Sequence, residues 1–159
     1  MNVLQNCVLV NHSVPISLNN ATSAVTNVVD TLGFAGGELL MIASLGATAG
    51  NFTSFKVQES DDNSSFSDVT GCVVATSLDI EGGATDLPDG TNDDNGLYVF
   101  QIQLTGSRKR YFKLVAVEDN TGATLMGCVA IIAPAGLAAV DTNAAIAGAV
   151  ADTAVMRAS

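Results

Sequence analysis

Between Glu59 and Asp68 the chain reads ESDDNSSFSD. Glu59, Asp61, Asp62, Asn63, Ser65 and Asp68 put oxygen donors into one short stretch. A calcium ion takes roughly six to eight oxygens, so cation binding is the chemistry to test first. A helix–loop–helix calcium loop starting at Asp61 would use Asn63 and Ser65. The pattern then fails, because Phe66 stands where such a loop needs glycine and Cys72 where it needs glutamate. What remains is a hairpin turn whose Asp and Ser side chains cap backbone amides. No metal dependence and no cofactor are expected.

A second acidic stretch runs from Asp79 to Gly96, DIEGGATDLPDGTNDDNG. Asp86, Asp89, Asp93 and Asp94 could gather a divalent cation, but no repeated Gly-x-Asp pattern supports one. It reads as a solvated loop. His12 is the only histidine, so a Ser-His-Asp or Cys-His arrangement would have to use it. No GxSxG elbow, HExxH pair or phosphate-binding glycine loop occurs. The chain is not expected to be an enzyme. In RKRYFK, Arg108, Lys109, Arg110 and Lys113 hold four of the six basic residues. On an acidic protein this is a local positive patch. It reads either as a solvated hairpin tip or as a contact for an acidic partner surface or another copy of the chain.

The elements that must carry these residues follow from composition. The chain has 159 residues, a length that suits one domain, and 48% are hydrophobic. Only 14% are charged and there is no Trp, so the core must come from Val, Ile, Leu, Ala and a few Phe. The net charge of −10 and pI of about 4.1 repel phosphate backbones, which argues against nucleic-acid binding. No apolar run reaches the ~18 residues of a membrane span; GELLMIASLG reads as a buried strand. The N-terminus lacks a basic n-region and a small-residue cleavage site, so no signal peptide is expected. Cys7, Cys72 and Cys128 are too few and too far apart for a disulfide framework. They read as small buried apolar residues, which favours synthesis in a reducing compartment.

Strand signals recur along the chain. CVLV can pair near the N-terminus, with Pro15 interrupting the residues after it. ATSAVTNVVDTLGF is rich in Thr and Val. AGG makes a turn before ELLMIASLG. TSFKVQES alternates, with Phe55 and Val57 on one face. LYVFQIQLTG sets Tyr98, Phe100, Ile102 and Leu104 on one side, and RYFKLVAVED sets Phe112, Leu114 and Ala116. With ATLMGCVAIIA these predict a three-stranded meander from Leu97 to Ala133. Seven to nine short strands with Gly/Asn/Asp turns predict an all-β antiparallel β-sandwich or jelly roll. The sequence divides into a segment 1–20, a sandwich 21–134 and a tail 135–159.

The tail is Ala-rich and apolar, unlike the polar composition of disordered ends. It predicts an assembly arm ordered only against a neighbouring subunit or the larger assembly it joins, with Val140, Ile146, Val150, Val155 and Met156 as anchors. Low charge with a high apolar fraction predicts a symmetric homo-oligomer, a trimer first.

FKVQESDDNSSFSDVTG, with ATSAVTNVVDTLGF upstream and RYFKL downstream, resembles small β-sandwich proteins encoded among tailed-bacteriophage head genes. Those are capsid decoration or cement proteins, and the resemblance spans roughly Ala21 to Val117. It implies a virion structural role on the capsid surface, as oligomers, often trimers, that clamp major capsid subunits. It carries over no contact residues. Two other readings stay open: a carbohydrate- or surface-binding β-module using the Asn- and Asp-rich loops, and a phage tail or tube protein with the same sandwich. The absence of Trp, and Tyr98 and Tyr111 lying away from the acidic loop, count against sugar stacking.

Overall fold

Alternating side chains build the strands of this protein, and burial of one face of each sheet brings them together. The computed structural model describes residues 6–18, 23–48, 51–74, 87, 95–118, 123–135 and 153–158. Ten strands follow in order: β1 (Val8–Leu18), β2 (Ser23–Val25), β3 (Val29–Asp30), β4 (Glu38–Thr48), β5 (Phe52–Ser60), β6 (Ser67–Val74), β7 (Leu97–Gln103), β8 (Tyr111–Glu118), β9 (Thr124–Ala133) and β10 (Thr153–Ala158). Among the described residues there is no helix, and so none long and apolar enough to cross a membrane.

One sheet has the order β1-β9-β4-β7-β10. The other has β2-β8-β5-β6, with β3 also pairing with β8. Every pairing among the described residues is antiparallel except that of β10, which runs parallel to β7. The protein is an all-β sandwich, as its strand signals predict.

The core lies between the two sheets. β8 alternates strictly, burying Phe112, Leu114 and Ala116. From the opposite sheet β9 buries Met126, Cys128, Ala130 and Ile132, and β4 buries Leu39, Met41, Ala43 and Leu45. Phe55 of β5 reaches across to Tyr98 and Phe100 of β7, with ring centroids 5.0 and 5.5 Å away in edge-to-face geometry. Such pairs add about 0.5–1.5 kcal/mol beyond the area they bury.

The expected meander from Leu97 to Ala133 is corrected. Its three strands form, but β7 and β9 lie in one sheet and β8 in the other. Period-two alternation determines which side chains point inward and leaves the lateral neighbour open. Here β4 takes both β7 and β9 as partners, opposing Met41 to Phe100 on one side and to Ala130 on the other. The links from β7 to β8 and from β8 to β9 therefore cross between sheets.

The sandwich also reaches beyond residues 21–134. β1 pairs along its length with β9, with register breaks around Ser13. At the other end β10 pairs with β7 of its own chain, Val155 opposite Val99 and Met156 opposite Phe100. This part of the expected arm is thus backbone-paired within its own subunit, because a strand beside β7 supplies partners for both sets of backbone groups. Val140, Ile146 and Val150 lie outside the described residues.

Gly37 shows how closely the sheet ends meet. A Cβ there would lie 2.1 Å from the Ala133 carbonyl oxygen and 2.9 Å from that of Phe34. Its carbonyl accepts the Leu104 amide at 2.9 Å, while the Gly36 amide donates to the Leu104 carbonyl at 2.6 Å. These bonds tie the turn before β4 to the end of β7.

Candidate functional site

The β5–β6 hairpin shows what ESDDNSS does. Residues 61–65 make the bend between the paired strands β5 and β6. Asp62 Oδ1 accepts from the Ser64 amide at 2.9 Å, the Ser65 amide at 2.7 Å and the Ser60 hydroxyl at 2.7 Å. These bonds, the Ser65 amide first, hold the Asp62 carboxyl well below the usual carboxylate range. Asn63 takes the left-handed conformation, φ 57°, which Asn tolerates better than most residues. The carboxylate thus supports a turn through local donors. Among the described residues no group of three or more His, Cys, Asp or Glu converges as for a metal ion. Of the acidic loop 79–96, only Leu87, Asn95 and Gly96 fall within the described residues, so Asp86, Asp89, Asp93 and Asp94 lie outside them.

The basic run occupies the connection from β7 to β8, at one end of the sandwich. Beside it are the β3–β4 loop and the β5–β6 bend, and the three enclose an open cavity of about 320 Å³. Its lining includes Leu32, Ala35, Asp61, Leu104, Arg108, Lys109 and Arg110. Leu32 is 67% exposed, a large apolar side chain presented at the rim, whereas Leu104 is buried beneath.

Each cation here has an acceptor in the chain. Arg110 binds Asp30 in a two-pronged fork, Nε to Oδ1 at 2.7 Å and Nη2 to Oδ2 at 2.7 Å. Its guanidinium also lies 4.7 Å from the Tyr111 ring centroid. The hydrogen bond from Arg110 lowers the Asp30 carboxyl below its ordinary value and raises the guanidinium's. Arg108 Nη1 sits 3.5 Å from Glu59 Oε1. The Lys109 amide donates to Glu59 Oε2 at 3.3 Å, and Lys109 Nζ donates to Ser67 Oγ at 3.0 Å. Next along, Lys113 Nζ lies 3.9 Å from the Phe66 ring centroid. The structure thus brings Arg108, Lys109 and Arg110 together around one concavity. It does not bring Val155 and Met156 to it, since β10 is at the β7 edge.

This end offers guanidinium and ammonium groups of fixed orientation, carboxylates between them, and an apolar floor. Such a surface suits a protein loop of mixed charge and apolar character. Sequence reasoning missed Asp30, and it set Glu59 in the acidic stretch and not beside the basic run. Asp30 is 80 residues from Arg110, and no local spacing links them.

His12 is fully buried, and its Nε2 is hydrogen-bonded to the Thr26 hydroxyl. Burial lowers its pKa to about 4, so the ring is neutral near pH 7. The two buried thiols, Cys72 and Cys128, are pushed up to about 12 by the same desolvation, which disfavours the nucleophilic thiolate. The described residues define a sandwich whose polar groups serve a hairpin turn, ion pairs and the lining of one concavity. Compared with protein-family models, with curated proteins and with solved structures, the chain matches none.

Proposed function

We propose that this chain is a virion structural protein, a capsid decoration or cement protein that stabilises a tailed-phage head by binding its major capsid subunits. One observation carries the reading. Among the described residues, Asp62 is engaged in a hairpin cap, Arg108 and Arg110 in ion pairs and His12 in a buried hydrogen bond, and the exposed surface includes a mixed-charge concavity and apolar strand residues. That is the surface of a protein that holds others together. The likeness of FKVQESDDNSSFSDVTG to decoration proteins supports the same reading, and this motif forms the β5–β6 hairpin.

In this reading the protein is not an enzyme and takes no cofactor. Its partners are further copies of itself and the major capsid protein, with neither nucleic acid nor membrane involved. It sits on the outer capsid surface. The cavity end receives a capsid loop, with Arg108, Lys109 and Arg110 at the contact. An arm built from residues 135–159 adds to the attachment.

Head stability tests the proposal. Heads built from the major capsid protein of the same genome, and stripped of accessory proteins, are heated with and without the purified chain. A ligand that binds the assembled state raises its melting point with concentration. A concentration-dependent rise is expected. Identical melting at saturating protein overturns the proposal.

A further inference from the structure

β1 is weakly anchored for its length. It forms one edge of its sheet, with β9 as its neighbour there. Of its eleven residues only His12 and Leu18 are buried, whereas β9 buries five of its ten. Leu18 is the one residue that β1 contributes to the buried apolar core, with Val10 and Ile16 packed against that core from outside. Neither β1 (VLVNHSVPISL) nor β9 (TLMGCVAIIA) contains an Asp, Glu, Lys or Arg.

His12 faces inward because it is an inserted residue. Asn11 lies opposite Val129 and Ser13 opposite Cys128, so His12 has no partner position on β9. A bulge of this kind re-aims a side chain, and here the ring reaches the Thr26 hydroxyl. Thr26 is fixed in turn by Leu114 of the other sheet, whose amide donates to the Thr26 hydroxyl at 2.8 Å and whose carbonyl accepts the Thr26 amide at 3.1 Å. The His12 carbonyl accepts the Asn27 amide at 3.0 Å. Both of these polar ties from β1 to the residues after β2 pass through His12. A second insertion, between Ser13 and Ile16, holds Pro15, which has no amide hydrogen to give the ladder.

The site accommodates this ring only while it is neutral. A protonated imidazole donates at both nitrogens. Thr26 Oγ1 can accept from Nε2, but Nδ1 has no hydrogen-bond partner among the described residues, so a proton would leave a buried cation with an unmet donor. The surrounding elements do not compensate it. β9 supplies Cys128, whose thiol burial pushes up to about 12. Residues 23–29 hold no titratable group, and Asp30 beyond them is paired with Arg110. The core face of β4 carries Leu39, Met41, Ala43 and Leu45. On β8, Lys113 lies against the Phe66 ring. The inward carboxyl of that strand, Glu118, sits opposite Phe52, four positions beyond Leu114.

We propose that β1 is an acid-released strand, which leaves the sandwich as a unit when His12 takes up a proton while the other strands stay folded. The device is independent of the proposed function. Once β1 is out, the ring titrates in water near its ordinary value of about 6.5, against about 4 in place. The strand is therefore held fully above pH ~6.5, and each unit fall from there towards pH ~4 favours release about tenfold. Release removes Leu18 alone from the apolar core, so it demands far less than unfolding the whole domain. It uncovers the edge of β9, ten residues with neither charge nor proline, whose backbone groups then face water.

Hydrogen exchange read by mass spectrometry on the full-length chain tests this, with each rate divided by the unstructured rate at the same pH. Between pH ~7.5 and ~4.5 the β1 amides should lose roughly fiftyfold in protection. β5 and β8 should stay at least about tenfold better protected than β1 throughout. In His12→Gln the β1 protection should hardly change with pH. Thiol trapping keeps the test decisive if that variant does not fold. In Cys7→Ser, a pyridyl disulfide at pH ~4.5 should reach Cys128, beside β1, before it reaches Cys72 in the other sheet. Exchange of β1 together with β5 and β8, a β1 protection that ignores pH, the same pH dependence in His12→Gln, or simultaneous reaction of the two thiols would overturn the proposal.

Discussion

His12 and Thr26 are hydrogen-bonded to each other, side chain to side chain, in the buried interior. His12 belongs to β1 in one sheet. Thr26 follows β2 in the other, where its hydroxyl accepts the Leu114 amide at 2.8 Å. The Asn27 amide adds a bond to the His12 carbonyl at 3.0 Å. One imidazole therefore links the two sheets near the uncharged edge, and it can do so cheaply only while neutral. Among the described residues its Nδ1 has no hydrogen-bond partner.

Stability should fall on mild acidification because of this ring. The His12 pKa is about 4 in the folded chain and about 6.5 in the unfolded one. Between those values the unfolded state takes up a proton that the folded state refuses. Stability is therefore full above pH ~6.5 and declines until pH ~4, by about 3 kcal/mol. Asp30 and Asp68, whose carboxyls are lowered by Arg110 and by Gln58 and Lys56, lose their share only at lower pH. Urea titrations from pH 7.5 to 4.5 should show this decline in the wild type, and a flatter line in His12→Gln.

Gly37→Ala should destabilise the fold by about 2 kcal/mol or more, because its Cβ would meet backbone oxygen and not a flexible side chain. Thermal melts of the two proteins give the answer. Gly106→Ala, where a Cβ meets nothing within 4 Å, is the matched control and should change little.

Calcium and chelator should leave the melting curve unchanged. Asp62 already accepts three hydrogen bonds within its own turn, and a cation would have to displace them. Asp62→Ala should lower the melting point through the uncapped amides of Ser64 and Ser65. A rise of several degrees with calcium would mean that the hairpin is a metal site.

Deleting residues 135–159 should leave both sheets folded but weaken attachment. The truncation removes β10 from the edge of β7, at about 2–4 kcal/mol for a short ladder of backbone bonds. The four antiparallel strands β1, β9, β4 and β7 do not depend on it for their order. Circular dichroism and head binding together decide the matter. A truncated chain that binds as well as the full one would make the tail a bystander, and one that fails to fold would make it part of the core.

Much of this architecture was legible because burial writes itself into local alternation. Tyr98, Phe100 and Ile102 face inward as their spacing predicts, and so do Phe112, Leu114 and Ala116. The Asp62 turn was legible for the same reason, since its partners lie within three residues. Pairing across the sheets was not. Nothing near Arg110 announces Asp30, nothing near His12 announces Thr26, and nothing in Leu97–Ala133 says that β8 leaves the sheet of its sequence neighbours. Those relationships come from chain topology, which a period-two pattern does not encode.

The central claim is that this sandwich attaches to a phage head, and saturation binding measures it most directly. Labelled chain is mixed with accessory-stripped heads, and sedimented protein is counted against unassembled capsid protein as control. The account predicts saturable binding at a fixed number of copies per head, weakened by changing Arg108, Lys109 and Arg110 together to Ala, with little binding to unassembled subunits. Sedimentation no greater than that of an unrelated acidic protein would contradict it.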